Sequence, residues 1–177
     1  MTDQTERDER AIEKVLRVYG LAMDTRRWDL FDDIFTPDAA INYPGMHWTD
    51  LASFKRDFAA GHAGYDATQH GVMAPIVEVD GDSACSFVYT SFRLIKLGTE
   101  GGDFAEGQAW NDDHWVRTPQ GWRIRERSCR ILWSEGNPAV RGAKKPLRMN
   151  VMREEAAEGK IGFLTMYDRR TGRAGAA

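Results

Sequence analysis

The sequence has few cysteines, no long apolar run and no marked excess of charge of one sign. Its two cysteines, Cys85 and Cys129, match no metal-binding or redox spacing, so a structural zinc site is not expected. No stretch approaches the roughly 18 apolar residues that a membrane-spanning helix needs, and the polar N-terminus lacks the apolar core of a signal sequence. The formal net charge of −3 argues against a nucleic-acid-binding surface. We therefore expect a cytoplasmic protein with reduced cysteines, no membrane contact and no nucleic-acid partner.

Three helical segments are predicted in the first part of the 177-residue chain. Between Glu6 and Met23 the apolar residues recur at the spacing of one helix face. A short helix over WDLFDDIF must end before Pro37, which cannot continue a helix, and AAINY then favours a short strand. The third helix is predicted over TDLASFKRDFAAGH, with Thr49 as its N-cap.

Beyond the third helix the pattern changes to long strands. Runs rich in Val, Ile, Phe, Tyr and Trp are separated by short turns such as Asp80-Gly81-Asp82 and Thr118-Pro119-Gln120-Gly121. These runs cover residues 68–80, 82–97, 107–117 and 121–133. Helices followed by consecutive antiparallel strands are typical of an α+β fold, with the helices on one face of one curved sheet.

No recognisable cofactor or metal motif is present. The sequence has no Gly-rich phosphate loop, no nucleophile elbow and no His-x-x-x-His spacing among its four histidines. An enzyme with this sequence would therefore work with ordinary side chains, without metal or cofactor.

One carboxylate and one histidine attract attention as a pair. Asp24 falls at the C-terminal end of the first helix, where the helix dipole disfavours negative charge, although Arg26 and Arg27 can offset this. Gly20 leaves space one turn earlier on the same face. His70 lies near the start of a strand that at once becomes apolar. A carboxylate bonded to an imidazole fixes its tautomer and raises its basicity, so the two together would make a general base.

The order of three stretches resembles one enzyme family. VYGLAMDTRRWDLFDDIFTPDAAINY resembles the start of scytalone dehydratase and its relatives, in which a helix ending in Asp precedes a Trp-Asp pair and a strand ending in Tyr. TQHGV resembles the segment with their catalytic histidine, and DDHWVRTPQGWRIRERSCRILW resembles their closing strand pair. The chain is thus identified as a member of the SnoaL-like, scytalone-dehydratase-like branch of the nuclear-transport-factor-2-like superfamily, over residues 8–135. The resemblance implies a cone-shaped α+β barrel, with three N-terminal helices packed on a strongly curved, mixed and mostly antiparallel sheet.

The resemblance also implies catalytic residues. Asp24 and His70 match the catalytic pair of scytalone dehydratase, which hexachlorocyclohexane dehydrochlorinase shares. Tyr43 matches a tyrosine that helps to orient a water in scytalone dehydratase. Tyr19 matches the active-site tyrosine of bile-acid 7α-dehydratase, another relative.

The auxiliary groups of the family differ in this chain. The second catalytic histidine of scytalone dehydratase falls at Gln108 or Trp110, so the substrate of that enzyme is not expected. His114 is a candidate substitute base, because strand alternation puts it on the same side as Trp110. His47 and His62 are expected in a loop and at a helix end, without a catalytic role. The candidate pocket wall, for which core packing or surface cover is an open alternative, comprises Phe87, Tyr89, Trp110, His114, Arg130 and Trp133.

Together these features predict a cofactor-independent lyase or isomerase that removes a proton from a hydrophobic cyclic or aromatic small molecule, with loss of water as the preferred outcome. Two alternatives stay open: a non-catalytic β-type subunit of a ring-hydroxylating dioxygenase, and a ligand-binding or polyketide-cyclase-like protein on the same fold. We expect a barrel domain over residues 1–135 and an extension over residues 136–177 that caps the pocket or a neighbouring subunit. A homo-oligomer, either a dimer or a trimer, is expected.

Overall fold

The computed structural model, which describes residues 3–146 and 152–173, places all three predicted helices before the long strands. The first part contains helix α1 (Asp3–Thr25), a 3-10 helix (Trp28–Asp33), strand β1 (Phe35–Tyr43), strand β2 (Met46–Trp48) and helix α2 (Leu51–His62). Four long strands follow: β3 (Ala67–Asp80), β4 (Ser83–Ile95), β5 (Phe104–Thr118) and β6 (Gly121–Gly136). The C-terminal part contains a 3-10 helix (Pro138–Arg141), helix α3 (Met152–Ala157) and helix α4 (Gly162–Thr171).

One six-stranded sheet forms the framework, in the order β2-β1-β6-β5-β4-β3. Strand β1 pairs with β6 in parallel, and the other neighbours pair antiparallel. Bulges interrupt the register in β3 and twice between β5 and β6, and such bulges bend strands. The predicted α+β fold with a curved, mixed and mostly antiparallel sheet is therefore confirmed, although the sheet stays open between β2 and β3.

The N-terminus of α2 departs from its prediction by one residue. Asp50, not Thr49, is the N-cap, and its carboxylate accepts a hydrogen bond of 2.8 Å from the backbone N–H of Ser53. Both residue types cap helices well, so composition alone does not choose between neighbours.

The inner face of the sheet, defined as the face that α1 and α2 cover, carries the main core. Apolar side chains from the helices, such as Ile12 and Phe54, meet Trp115 and Ile124 from the strands. Phe54 stacks on Phe31 and contacts Phe35, Trp48 and Phe58. Much of the aromatic content thus fixes the helices against the sheet and fills the core.

The outer face of the sheet, opposite to the inner face, is covered in part by the chain's own C-terminal residues. Ile161 and Phe163 at the start of α4 are buried against Cys85 and Trp110. The carboxylate of Asp112 accepts hydrogen bonds from the backbone N–H groups of Gly162 (2.6 Å) and Phe163 (2.9 Å), so a strand residue caps this helix. A Cβ atom at residue 162 would lie 2.2 Å from Nε2 of His114, so any other residue there would require the His114 side chain to move.

Within residues 3–146 and 152–173, no helix has both the length and the apolar character needed to cross a membrane.

The start of α1 is attached to the β5–β6 hairpin by a buried carboxylate. Asp8 accepts two hydrogen bonds from the Arg117 guanidinium (2.7 and 2.8 Å) and one from Nε1 of Trp122 (3.0 Å). The hydrogen bonds from Arg117 outweigh the effect of burial and hold the pKa of Asp8 far below its usual range. Arg117 also pairs with Asp82, whose side chain is 85% exposed.

We expect Asp8→Asn to lower the free energy of unfolding by about 2 kcal/mol at pH 7, because the amide cannot accept the bidentate pair. Because the folded-state pKa of Asp8 is depressed, its contribution is complete above the unfolded pKa of about 4 and is lost as the pH falls below it. The difference between the two proteins in urea unfolding should therefore shrink below pH 4.

Asp82→Asn is the matched control, because it removes an exposed partner of the same arginine. It should cost less than about 0.5 kcal/mol. An equal cost for both variants would contradict the assignment of Asp8 as the stabilising partner.

Candidate active site

A mostly apolar cavity lies between the helices and the inner face of the sheet. Its volume is about 290 Å³, at the lower end of the range typical of small-molecule sites. Apolar side chains such as Met23, Phe58, Val72 and Ile131 form much of the wall. The polar groups at the wall include Tyr19, Tyr43, His62, His70, Asn111 and Arg141. This lining suits a small, mostly apolar molecule with a few polar groups.

The structure brings Asp24 and His70 into direct contact. His70 Nδ1 lies 2.7 Å from Asp24 Oδ1, and the backbone N–H of His70 donates to Oδ2 at 2.8 Å. The hydroxyl of Thr68 donates to Oδ1 at 2.9 Å. Three donors from one strand therefore hold the Asp24 carboxylate in the last turn of α1, and they offset the unfavourable helix dipole there.

Close packing of α1 on β3 makes this contact possible. A Cβ atom on Gly20 would lie 3.0 Å from the backbone oxygen of His70, so the space beside Gly20 is filled by the strand itself. Asp24 follows one helical turn later and therefore projects towards the same strand.

Asp24 keeps its negative charge at neutral pH. Burial by itself raises the pKa of the Asp24 carboxyl, but the hydrogen bonds from His70 and Thr68 outweigh it and hold the pKa below its usual value. A carboxylate can only accept, so Nδ1 of His70 carries a proton in this hydrogen bond. In the neutral ring, Nε2 then holds the lone pair that can act on a bound molecule.

The two tyrosines predicted to join the site also meet at the cavity. The hydroxyl oxygens of Tyr19 and Tyr43 are 2.5 Å apart. Burial raises the pKa of Tyr43 well above its usual value, and it raises the pKa of Tyr19 although the Arg127 charge opposes this. Both tyrosines are therefore neutral hydroxyl donors at physiological pH.

A buried ion pair lies behind the tyrosines. The Arg127 guanidinium donates to both carboxylate oxygens of Asp113 at 2.7 and 2.8 Å, and both side chains are fully buried. The guanidinium carbon of Arg127 lies 4.4 Å from the ring centroid of Tyr19. Burial alone lowers the pKa of Arg127, but Asp113 outweighs this and holds the pKa above its usual value. A permanent positive charge therefore lies against the Tyr19 ring.

Two residues without a predicted role in the sequence also line the cavity. His62, the last residue of α2, faces the cavity from the helix end. Asn111 of β5 is almost fully buried there, and its Oδ1 has no hydrogen-bond partner among the described residues. In the sequence, strand alternation places Asn111 on the opposite face of β5 from Trp110 and Asp112. A polar residue on the face that the helices cover is the signal that could have identified it.

None of the six residues predicted as candidate pocket wall lines this cavity. Side chains alternate along a strand, and Asn111 faces the cavity, so the neighbouring Trp110 points to the outer face. The six predicted residues lie on the outer face of the sheet or contact α3 and α4. They are Phe87, Tyr89, Trp110, His114, Arg130 and Trp133. Gln108 lies near Trp133, away from the cavity.

His114 is thus unsuited to be the second base of this site. Its Nδ1 lies 3.3 Å from the sulfur of Cys85, and its side chain does not line the cavity. His47 lies outside the cavity wall, with its Nδ1 2.5 Å from Oδ1 of Asn42.

Neither cysteine is a suitable nucleophile, and no metal centre is formed by the described part of the chain. Cys129 reaches the cavity wall, but burial raises the pKa of its thiol to about 12. Burial also raises the pKa of Cys85 to about 12. Both thiols are therefore protonated at neutral pH. Residues 3–146 and 152–173 contain no cluster of three His, Cys, Asp or Glu side chains that could hold a metal ion.

Comparison with known proteins gives one family match and several related structures. Residues 4–128 match the SnoaL-like domain family. An uncharacterized protein of Mycobacterium tuberculosis is 34% identical over 122 residues, which cover 68% of this chain and 82% of that protein. The crystal structure of a protein from Kribbella flavida has a TM-score of 0.73 at 22% identity, and the match covers 78% of this chain and 99% of that protein. A second crystal structure is that of a Novosphingobium aromaticivorans protein proposed to be a scytalone dehydratase. It has a TM-score of 0.70 at 18% identity, and the match covers 77% of this chain and 92% of that protein.

Proposed function

The chain belongs to the SnoaL-like domain family, and we propose that this member is a cofactor-independent lyase acting on a hydrophobic cyclic or aromatic molecule. The observation that carries the proposal is the hydrogen bond between Asp24 and His70 at the wall of a mostly apolar cavity. The ionised carboxylate holds the Nδ1–H tautomer and leaves Nε2 as a base. It also provides the counter-charge for the imidazolium that forms when Nε2 takes a proton.

The preferred reaction is elimination of water from a β-hydroxy carbonyl compound. Nε2 of His70 removes the proton next to the carbonyl, and the electron pair of that C–H bond forms an enolate. The enolate then forms the C=C bond as the C–O bond to the β-hydroxyl breaks. The imidazolium returns its proton to the leaving hydroxide, so water leaves and His70 is restored. Double-bond migration needs the same first step and returns the proton to another carbon.

The tyrosine pair would stabilise the enolate. The raised pKa values of Tyr19 and Tyr43 keep both hydroxyls protonated, and one of them can donate to the other while the second donates into the cavity. A donor that meets an oxyanion in an apolar site stabilises it more than water does. The Arg127 charge against the Tyr19 ring makes that hydroxyl a better donor.

The related Novosphingobium aromaticivorans protein is proposed to be a scytalone dehydratase, a reaction of the same class as the one proposed here. The likeness by itself concerns the fold. The reaction is inferred from the side chains of this chain.

A panel of cyclic β-hydroxy ketones in deuterated water tests the proposal without knowledge of the natural substrate. Loss of the β-hydroxyl, or exchange of the proton next to the carbonyl, would appear in proton NMR spectra. For an active compound, we expect His70→Gln to be slower than the unaltered protein by about 10²- to 10⁴-fold.

The matched control is His47→Gln, which changes a histidine outside the cavity wall and should leave the rate unchanged. Deoxy ketones of the same ring size separate proton exchange from elimination. Binding of the panel without exchange or elimination at any pH would contradict the lyase and favour a ligand-binding protein.

A further inference from the structure

His62 is a second imidazole at the cavity, and its surroundings define its orientation. Its Nδ1 lies 2.8 Å from the backbone oxygen of Phe58, one helical turn earlier in α2. A carbonyl oxygen can only accept, so Nδ1 carries the proton in this bond. The ring also stacks on Phe58 and meets Trp28 and Tyr65 edge-on, which fixes its plane.

The second nitrogen of His62 is an available acceptor. Burial lowers the pKa of His62 and outweighs the hydrogen bond to Phe58, which raises it, so the ring is neutral at physiological pH. With the proton on Nδ1, the lone pair is on Nε2. No hydrogen bond to Nε2 is formed by any residue that the structure describes, and His62 lines the cavity. An unpaired hydrogen-bond acceptor in an apolar wall strengthens binding only of a ligand that carries a hydrogen-bond donor.

The two histidines are close enough to contact one ligand. The ring centroids of His62 and His70 are 6.1 Å apart, and both rings line the same cavity. A single six-membered ring can therefore place an acidic C–H against His70 and a substituent against His62. That substituent must be a donor, since neutral Nε2 has no proton to give.

We propose that Nε2 of His62 accepts a hydrogen bond from a hydroxyl group that the substrate retains, and so selects hydroxylated rings. This inference rests on the proposed function, because it assigns the substrate class of the same cavity. The leaving hydroxyl must receive a proton, whereas the hydroxyl at His62 gives one to a hydrogen bond. The substrate therefore carries a phenolic, enolic or alcoholic hydroxyl in addition to the group that is eliminated.

Binding of 2-naphthol and 2-methoxynaphthalene tests the inference without turnover. The two probes share the ring system, but only 2-naphthol has an O–H donor. Affinities measured by quenching of tryptophan fluorescence give a ratio that reports the value of the donor. We expect His62→Phe, which keeps an aromatic ring against Phe58, to lower the preference for 2-naphthol by about fivefold to tenfold. His62→Gln, which retains an acceptor oxygen, should restore part of the preference.

The His70→Phe variant shows which imidazole binds the hydroxyl. If it removes the preference for 2-naphthol and His62→Phe does not, the assignment to His62 is overturned. The assignment is also overturned if the unaltered protein binds neither probe, or if His62→Phe weakens both probes equally. Nitrogen NMR gives an independent measurement: the Nε2 resonance of His62 should move on addition of 2-naphthol and not on addition of its methyl ether.

The two proposals fail in distinguishable ways. A preference for 2-naphthol that depends on His62, without elimination in the ketone panel, would reject the lyase and keep the hydroxyl site. Elimination that depends on His70, with a naphthol preference insensitive to His62, would keep the lyase and reject the hydroxyl site.

Discussion

Asp24→Asn is expected to lower kcat/KM for proton abstraction by about 10³- to 10⁴-fold in a protein that still folds. The amide keeps the shape of the carboxylate, and its oxygen can still accept from the backbone N–H of His70. Its NH₂ group then faces Nδ1, which favours the tautomer with the proton on Nε2 and so removes the base. The lost charge also leaves the imidazolium without its partner. The rate of loss of the β-hydroxyl, followed by NMR, measures the effect.

The expected cost in stability is much smaller than the effect on the rate. Asp24 is partly exposed and ends a helix, so the loss of charge-assisted hydrogen bonds should cost about 1–2 kcal/mol in urea unfolding. Thr68→Val is the control, because it removes one hydrogen bond to Asp24 and keeps the charge and the tautomer. It should lower kcat/KM by no more than about tenfold. If Thr68→Val lowered kcat/KM as much as Asp24→Asn does, the position of the Asp24 side chain, rather than its charge and the His70 tautomer, would determine the rate.

The order of elements was predictable because each has a local signal. Helical spacing marked α1 and α2, and β-rich runs between turn residues marked the four long strands. The contact between Asp24 and His70 joins residues 46 positions apart, and no local signal specifies such a distance. The family resemblance predicted that pair, and Gly20 explains physically how the helix comes close enough to the strand.

Alternation along a strand does not say which face of the sheet the helices cover, so it could not place the candidate wall residues. Trp110 and Asn111 are adjacent, and the large aromatic residue was the natural candidate for a pocket. The helices instead cover the face of Asn111, and Trp110 is buried on the other face by Phe163 of α4. The position of residues far along the chain thus decides the role of a strand residue, and no pattern within β5 contains that information.

The sequence also gives no sign that His62 reaches the cavity, and the reason is physical. A histidine at a helix end is common and often solvated. Its place at the cavity depends on how α2 packs on the rest of the fold, which brings its ring centroid to 6.1 Å from that of His70. Its tautomer depends on the Phe58 carbonyl one turn earlier, whose oxygen has two lone pairs and accepts a hydrogen bond from Nδ1.

Asp113→Leu is expected to cost about 3–5 kcal/mol of unfolding free energy, the largest stability effect among the changes considered. It leaves the fully buried guanidinium of Arg127 without its only carboxylate partner among the described residues. Arg127→Met should cost a similar amount, because it leaves the buried Asp113 carboxylate unpaired. The double variant replaces both charges with apolar side chains. Its free energy of unfolding should lie within about 1–2 kcal/mol of that of the unaltered protein.

The exposed pair of Glu13 and Arg17 on α1 provides a control at a similar distance. Its N···O separation is 2.9 Å, against 2.7 Å for the buried pair. The corresponding single and double changes there should each cost less than about 1 kcal/mol, because water solvates either partner alone. Urea unfolding of all six variants gives the coupling energy of each pair. Equal coupling in the two pairs would show that burial does not set the cost.

In the Asp113→Leu/Arg127→Met variant, we expect stability to be largely restored but kcat to remain low. The guanidinium charge lies 4.4 Å from the ring centroid of Tyr19, and it favours proton donation by that hydroxyl. The apolar pair restores the packing but not the charge, so kcat should stay about tenfold below that of the unaltered protein. A buried ion pair contributes little net stability compared with a well-packed apolar pair. Loss of activity in a stable double variant would therefore show that the charge behind Tyr19 serves the reaction rather than the fold.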